Sequence, residues 1–559
     1  MASPSGVFNH QLRRTTGKRT GHAREARRSR QRFARFKYVL SALWLCYCRF
    51  TTFLDVFVTA TPENSPARAV DAMPEAFVSY ARISSEVSRR IADGRLRKLA
   101  TRLYTRNLED APSDIVRRNL WVIVAGYFPD ALVADRTAFE LAPAEDGSVC
   151  VVSQRGADIV LPGVVLRPRR GAPPQPDDQR FMNQRLFLSS PARAYLDNLC
   201  RSRPRRGRFP RTLRRTHIEE RLEQLISSAG IDACNRLRDD AGRIAEAVNR
   251  SAQRIELDRI IGALAGTGNA RLTAGTAQAR ARGRAYDSTR VALFEDLFAA
   301  LRETHAPSRR PRPRDGIGNA TLAFFEAYFS NYIEGTEFEV EEAAQIVFAG
   351  RIPPLRPADA HDILGVWRIV SDQSEMRRLP ATLDELVYLL RSRHAGALRG
   401  RPESAPGRFK TKPNRVGAVT FVAPDAVLGT LERGFDIYRG LVEPFHRAAF
   451  IHFLVSEVHP FADGNGRLAR IMMNAELVSA NEERVVVPTV YRDNYIAAQR
   501  PLSIGHSPVP MLRMLDFAWR WTAAMDWGSL DDTTEGLRAC NAFDTEAAAE
   551  RKGVRLRMP

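Results

Sequence analysis

Between His459 and Arg470 the chain gathers residue types that handle phosphate and protons. The stretch reads Val458-His459-Pro460-Phe461-Ala462-Asp463-Gly464-Asn465-Gly466-Arg467-Leu468-Ala469-Arg470. Gly464 and Gly466 permit positive φ and leave backbone N–H groups bare at the start of a following helix, where terminus and backbone nest favour an anion. Arg467 and Arg470 lie three apart, so both reach one side of the first helical turn. Asp463 supplies a carboxylate fit for Mg²⁺, and His459 a titratable imidazole beside it. Each feature is commonplace alone. Their co-occurrence within one short loop suits phosphoryl or nucleotidyl transfer, where positioning and charge neutralisation do most of the work.

Two helices must hold this loop. Upstream, Phe445, Ala448, Ile451, Val455 and Val458 mark one helical face, and Pro460 ends it. Downstream, Leu468, Ile471, Met472, Ala475 and Val478 mark a buried stripe. A third helix is written in LAFFEAYFSNYIEG, where Leu322, Phe325, Phe329, Tyr332 and Ile333 share a face and Gly335 is placed to stop it. Glu334 then falls in the last turn, where the macrodipole disfavours an anion and a cationic partner would steady it.

The loop matches HPFx[DE]GNGRxxR, the signature of the Fic family, at every defined position, and the resemblance extends over 320–525. Ser330-Asn331-Tyr332-Ile333-Glu334-Gly335 matches the family's inhibitory-helix motif [ST]xxxE[GN], in the class where that helix precedes the catalytic core. Val416-Gly417 through Phe421-Val422-Ala423-Pro424 resembles the family's flap, a strand pair that orders the target segment. Tyr491 to Tyr495 resembles the border of its nucleotide pocket, and His452 fits the family habit as a structural residue.

The resemblance implies roles. His459 would be the general base, with an ordinary imidazole pKa of about 6.5 suited to the task. Asp463 would hold Mg²⁺. Gly464, Asn465 and Gly466 would form the anion hole for the α- and β-phosphates of ATP. Arg467 and Arg470 would neutralise the β- and γ-phosphates, and Phe461 would anchor the loop. Val416, Gly417 and Phe421 would position the target. Glu334, with Ser330 and Gly335, would pair with Arg470, take the γ-phosphate position and force ATP into an unproductive pose. The implied activity is an autoinhibited protein adenylyltransferase that moves AMP to a Ser, Thr or Tyr hydroxyl of a target protein or of the chain itself. Another nucleotide donor stays open, because the loop reads phosphates and not bases. A homodimer also stays open, with no interface motif to read.

The implied fold is a mainly α Fic fold with a small β-hairpin flap, preceded by a small α/β, winged-helix-like domain. The 559 residues suggest several domains, and 44% apolar content excludes wholesale disorder and collagen-like repetition. Six scattered cysteines without a CxxC pair argue against a disulfide scaffold and a structural zinc site, and fit a reducing cytoplasm. The net charge of +20 hints at a polyanion, but residues 1–72 hold 13 Lys+Arg against 4 Asp+Glu. That segment is too long in its basic part for a signal peptide, and Arg49 and Asp55 interrupt its apolar run, so no span is expected. It reads either as upstream sequence before a start at Met73 or as a disordered basic arm.

Residues 73–200 read as the small α/β domain. A helix is expected through Val87, Ile91, Leu96 and Leu99, then a second over IVRRNLWVIVAGYF and two β-type runs, VCVVSQ and ADIVLPGVVLRP. Ile91 to Tyr104 loosely resembles the antitoxin-type winged-helix proteins of the AbiEi group. Residues 201–215 hold eight arginines and two prolines and read as an exposed basic linker, followed by helices to a second Pro/Arg stretch ending at 316. The inhibitory and supporting helices would occupy 317–381, the Fic domain 382–523 and a tail 524–559. These basic parts motivate a second reading, a DNA-binding or toxin–antitoxin-like regulator with the Fic part as effector.

Overall fold

The structure, a computed structural model, describes residues 66–181, 185–204, 207–308, 310, 316–417 and 419–559. The leader expected over 1–72 lies outside the described residues up to residue 65. The chain divides into two units. The smaller, 1–73 with 82–86, contributes the short helix α1 (Pro66–Asp71). The larger holds 74–81 and 87–559 and carries every predicted site residue.

In its N-terminal part, β1 (Ala76–Val78), β2 (Arg97–Ala100) and β3 (Leu103–Thr105) form an antiparallel sheet in the order β1-β3-β2. The helix expected through Leu99 is shorter: α2 spans Ser84–Ala92, Gly94 turns the chain at φ 67°, and Leu99 falls on β2. A glycine in the left-handed region outranks a continuing apolar period. Helices α3 (Pro112–Arg118) and α4 (Leu120–Tyr127) follow.

A six-stranded mixed sheet comes next: β4 (Ala131–Val133), β5 (Ser148–Val152), β6 (Ile159–Leu161), β7 (Val164–Arg169), β8 (Gln179–Arg180) and β9 (Leu186–Leu188), in the order β6-β7-β5-β4-β9-β8. The pairs β5–β7 and β4–β9 are parallel. The two expected β runs supply β5 to β7. Strands β4, β8 and β9 have three residues or fewer and leave no alternation in the sequence. Helix α5 (Pro191–Leu199) closes this part, capped by Ser190.

The basic linker expected over 201–215 is irregular and largely exposed over 201–204, but its second half, 209–215, is held in the fold. Arg211 Nε donates to the Asp135 carboxylate at 2.9 Å, and the Arg211 carbonyl accepts the Arg136 N–H at 2.9 Å. Phe209 N–H donates to Asp146 at 2.8 Å, and Arg215 pairs with Glu219 at 2.7 Å. The cause is Asp135, 2% exposed, which also binds Arg169 at 2.9 Å and must be neutralised by cations. Arg211 and Arg215 are therefore committed within the fold.

Helices α6 (Arg215–Ala229), α7 (Ile231–Ile244), α8 (Ser251–Leu264) and α9 (Gly275–Ala281) share a core with Tyr195 and Leu196 of α5, built on Ile218, Leu222, Leu237, Leu257 and Ile261. Helix α10 (Ser288–Glu303) lies on the far side of the boundary expected at 316, yet Leu293, Phe294 and Leu297 belong to the core that surrounds the site.

The site-bearing part comprises α11 (Gly316–Ile333), α12 (Pro357–Ser371), α13 (Leu383–Ala397), the hairpin β10 (Arg415–Val416) and β11 (Val419–Thr420), α14 (Val427–Tyr438), α15 (Pro444–Val458), α16 (Asn465–Ser479), α17 (Arg492–Gly505) and α18 (Val509–Ala524). Helix α16 is buried on all sides and joins two cores. Leu468, Ala469, Met472, Met473 and Leu477 pack with α10, α14, α15 and α18, while Ile471, Ala475 and Val478 pack with Phe325 and Phe329 of α11 and Ile363 and Val366 of α12. The predicted stripe is thus divided between two partners, and α11 is brought against α16. Among the described residues, no helix is long and apolar enough to cross a membrane.

Candidate active site

Helix α15 ends at Val458 because His459 adopts φ 52°, ψ 59° while its N–H still donates to the Val455 carbonyl at 3.0 Å. A non-glycine residue in this region turns the chain sharply into the loop. The His459 Nδ1 lies 3.3 Å from the Ser456 carbonyl, an acceptor, so Nδ1 carries the proton and Nε2 keeps its lone pair. Burial pushes the imidazole down to about 4, and the Lys410 ammonium acts the same way. The ring stacks on Phe421 with centroids 3.8 Å apart and planes at 11°.

Phe461 is fully buried and stacked on His394 at 3.8 Å and 7°. Its N–H donates to Asn465 Oδ1, and Asn465 Nδ2 donates back to its carbonyl, both at 2.9 Å. The Asn465 side chain therefore holds the loop, and only its backbone N–H remains for an anion. Gly464 has φ 71°, and a Cβ there would lie 2.5 Å from Leu398 Cδ1, so both backbone and space require glycine. The loop delivers the chain to the N-terminus of α16, whose first N–H groups have no intrahelical acceptor.

Asp463 is fixed through its backbone. His394 Nδ1 accepts the Gly407 N–H at 2.9 Å, so His394 Nε2 donates to the Asp463 carbonyl at 2.9 Å. Burial pushes His394 down to about 4 and keeps it neutral. The Asp463 carboxylate is half exposed, with Arg467 Nη2 at 3.8 Å. Among the described residues no group of three or more His, Cys, Asp or Glu side chains could hold a metal ion. One exposed carboxylate beside an anion site does fit Mg²⁺, which binds through one or two carboxylates and substrate phosphates.

The two arginines differ. Arg467 Nη1 pairs with Asp362 of α12 at 2.7 Å and donates to Asn331 Oδ1 of α11 at 3.3 Å. Asp362 is fully buried and also binds Arg401 at 2.7 Å. Arg470 donates from Nε to Ser330 Oγ and from Nη2 to the Ser330 carbonyl, both at 2.9 Å, and Nη2 reaches Glu334 Oε1 at 2.7 Å. Its Nη1 lies 3.5 Å from the Tyr495 hydroxyl, which meets His452 Nε2 at 2.6 Å. Burial pushes His452 down to about 3.

Glu334 follows the last residue of α11, and Gly335, at φ 89°, releases the chain. Arg492 Nε donates to the Ile333 carbonyl at 3.1 Å and steadies this end. A Cβ on Gly466 would collide with Glu334 Oε1, so the carboxylate lies directly over the first turn of α16. The predicted residues His459, Asp463, Gly464, Asn465, Gly466, Arg467, Arg470, Ser330, Glu334 and Phe421 thus meet around one helix N-terminus. On the hairpin, Val416 is exposed and Gly417 has φ 58°.

Sequence reasoning missed His394, Asp362, Asn331 and Lys410. Asp362 left one sign, a carboxylate inside the apolar period of α12. Lys410 Nζ donates to Asn414 Oδ1 at 2.7 Å, and burial pushes its ammonium down to about 8.

The arrangement is two helices, α15 and α16, joined by a tight loop with a histidine at its entrance and bare N–H groups at the start of the second helix. Residues 383–477, within a mainly helical part of the chain, match the Fic/DOC family. The chain is 26% identical over 192 residues to protein adenylyltransferase fic-1 of Caenorhabditis elegans, a match covering 33% of this chain and 37% of that protein. It is 26% identical over 218 residues to protein adenylyltransferase Fic of Drosophila willistoni, covering 37% of this chain and 42% of that protein. The matches thus span well under half the length of these relatives. Among solved structures, Fic-1 (aa134 - 508) from C. elegans gives a TM-score of 0.31 at 18% identity over 58% of this chain and 97% of that one. A Fic-domain-containing signaling protein from Bacteroides thetaiotaomicron gives 0.33 at 18% identity over 46% and 98%.

Proposed function

We propose that the chain is a protein adenylyltransferase restrained by its own helix α11, moving AMP from ATP to a Ser, Thr or Tyr hydroxyl of a target protein, itself included. The named activity of the relatives supports the reaction class. His459 Nε2 takes the proton of the target hydroxyl, whose oxygen forms the new bond to the α-phosphorus. The bond from that phosphorus to the bridging oxygen breaks, and pyrophosphate leaves. The backbone N–H groups of Gly464, Asn465 and Gly466 receive phosphate oxygens. Arg470 neutralises the outer phosphates, and Arg467 adds charge from a position fixed by Asp362. Asp463 would hold Mg²⁺, which supplies charge neutralisation for the phosphates when bound. Val416, Gly417 and Phe421 line up the target segment beside the base.

The observation that carries the reading is the Glu334 carboxylate, seated over Gly466 and paired with Arg470 at 2.7 Å. An anion of the chain's own occupies the place where a phosphate would bind. The test uses the Glu334→Gly protein with Mg²⁺ and α-labelled ATP in cell lysate. Label should appear on protein and vanish in Glu334→Gly/His459→Ala. Labelling from α-labelled UTP but not ATP would reassign the donor, and no protein labelling from either nucleotide would sink the proposal.

A further inference from the structure

We infer that Arg290, on helix α10 and outside the matched family segment, is a positioning residue that clasps the β10–β11 flap to the base His459. The inference rests on the adenylyltransferase reading for its catalytic consequence, but not for its structural one. Among the described residues the flap has two paired positions, Arg415 with Thr420 and Val416 with Val419, too few to stand alone in water. Its root is stitched to the loop: Phe421 N–H donates to the Asn414 carbonyl at 3.2 Å, and Asn414 Nδ2 donates to the Phe461 carbonyl at 2.9 Å. Its far strand is held by Arg290, whose Nη2 donates to the Thr420 carbonyl at 2.8 Å.

The other end of the same guanidinium, Nη1, is ion-paired to Glu457. Arg290 and Glu457 are 11% and 6% exposed, and Glu457 also accepts from Ser503 Oγ at 2.7 Å. Glu457 stands two residues before His459, and Thr420 one residue before Phe421. One planar fork therefore fixes both halves of the Phe421–His459 stack. The fork itself is anchored. Asp287 accepts the Arg290 N–H at 3.1 Å, and the Asp287 N–H donates to Thr430 Oγ1 of α14 at 2.9 Å. A lysine carries the same charge but has a single nitrogen and lacks the rigid fork that reaches carbonyl and carboxylate together. The clasp sets how the target's hydroxyl approaches Nε2, while Arg467 and Arg470 bond to Asp362, Asn331, Ser330 and Glu334 instead.

The experiment compares Arg290→Lys, Arg290→Gln and the double variant Arg290→Gln/Glu457→Gln, all in the Glu334→Gly protein. The double variant removes both charges, so no buried carboxylate is left unpaired. Hydrogen exchange of the 419–421 amides should quicken about tenfold in all three, with melting temperature held within about 3 °C in the double variant. With the His459→Ala chain as acceptor, KM for the acceptor should rise about tenfold while KM for ATP stays within about twofold. Unchanged flap exchange in a folded double variant, or wild-type behaviour of Arg290→Lys, overturns the clasp. Faster exchange with unchanged acceptor KM overturns the positioning role. If Glu334→Gly transfers no label at all, the enzymatic reading fails, and the exchange result still decides whether Arg290 holds the flap.

Discussion

Removing the Glu334 carboxylate gives the sharpest test of the restraint. Arg470 is 5% exposed and Glu334 26%, with 2.7 Å between Nη2 and Oε1. A hydrogen bond between charged groups contributes about 1.5–3 kcal/mol. The C-terminal end of α11 opposes an anion there by about 0.5 kcal/mol. The net is about 2 kcal/mol, so a phosphate that must displace Glu334 binds roughly thirtyfold more weakly than one that need not. In Glu334→Gly, productive ATP affinity should rise by that factor, read by calorimetry with ATP and Mg²⁺, and self-labelling at subsaturating ATP should rise with it. Glu334→Gln, which keeps the shape without the charge, should fall between. The fold should survive, because Arg470 keeps both bonds to Ser330. Loss should stay near 2 kcal/mol rather than the 3–5 kcal/mol or so expected for an orphaned buried charge. Equal ATP affinity and equal labelling in wild type and Glu334→Gly would refute the reasoning. An unfolded Glu334→Gly would show that the pair is structural.

Other outcomes follow from the same geometry. In Glu334→Gly, transfer should show no titration near 6.5 in a rate–pH profile, because His459, pushed down to about 4, is neutral from there upward. A limb centred at 6.5 would contradict the buried, stacked imidazole. His394 and His459 at about 4 and His452 at about 3 are depressed in the folded state, so the unfolded chain binds more protons below 6.5. Their contribution is complete above pH 6.5 and is lost as pH falls toward 4 for His394 and His459 and toward 3 for His452, which thermal melts across that window would register. Gly464→Ala should cost about 1–3 kcal/mol from the left-handed backbone alone, with the Leu398 clash added, and chemical denaturation measures it. His394→Phe keeps the stack on Phe461 but drops both bonds, and should lower stability by about 1–3 kcal/mol, with transfer falling alongside.

The geometry of the loop from His459 to Arg470 was legible because its parts are local. Glycines, arginines and a histidine lie together between His459 and Arg470 and set up a loop that leads into a helix start with bare N–H groups, and the apolar periods of α11, α15 and α16 are equally local. Residues whose task is set across the fold were not legible. His394 meets Asp463 across 69 residues and Arg290 meets Thr420 across 130. Each is an ordinary side chain on an ordinary helix until the two segments pack. The arginines at 211 and 215 misled for the same reason: sequence counts charge, but only packing reveals the buried Asp135 and Glu219 that neutralise them. By itself, then, the sequence determined the chemistry of the loop, since spacing along a helix places side chains without help. Tertiary structure decided how that chemistry is held. It kept His459 neutral beneath Phe421 and braced Arg467 on Asp362, because burial and charge pairing exist only once distant segments meet.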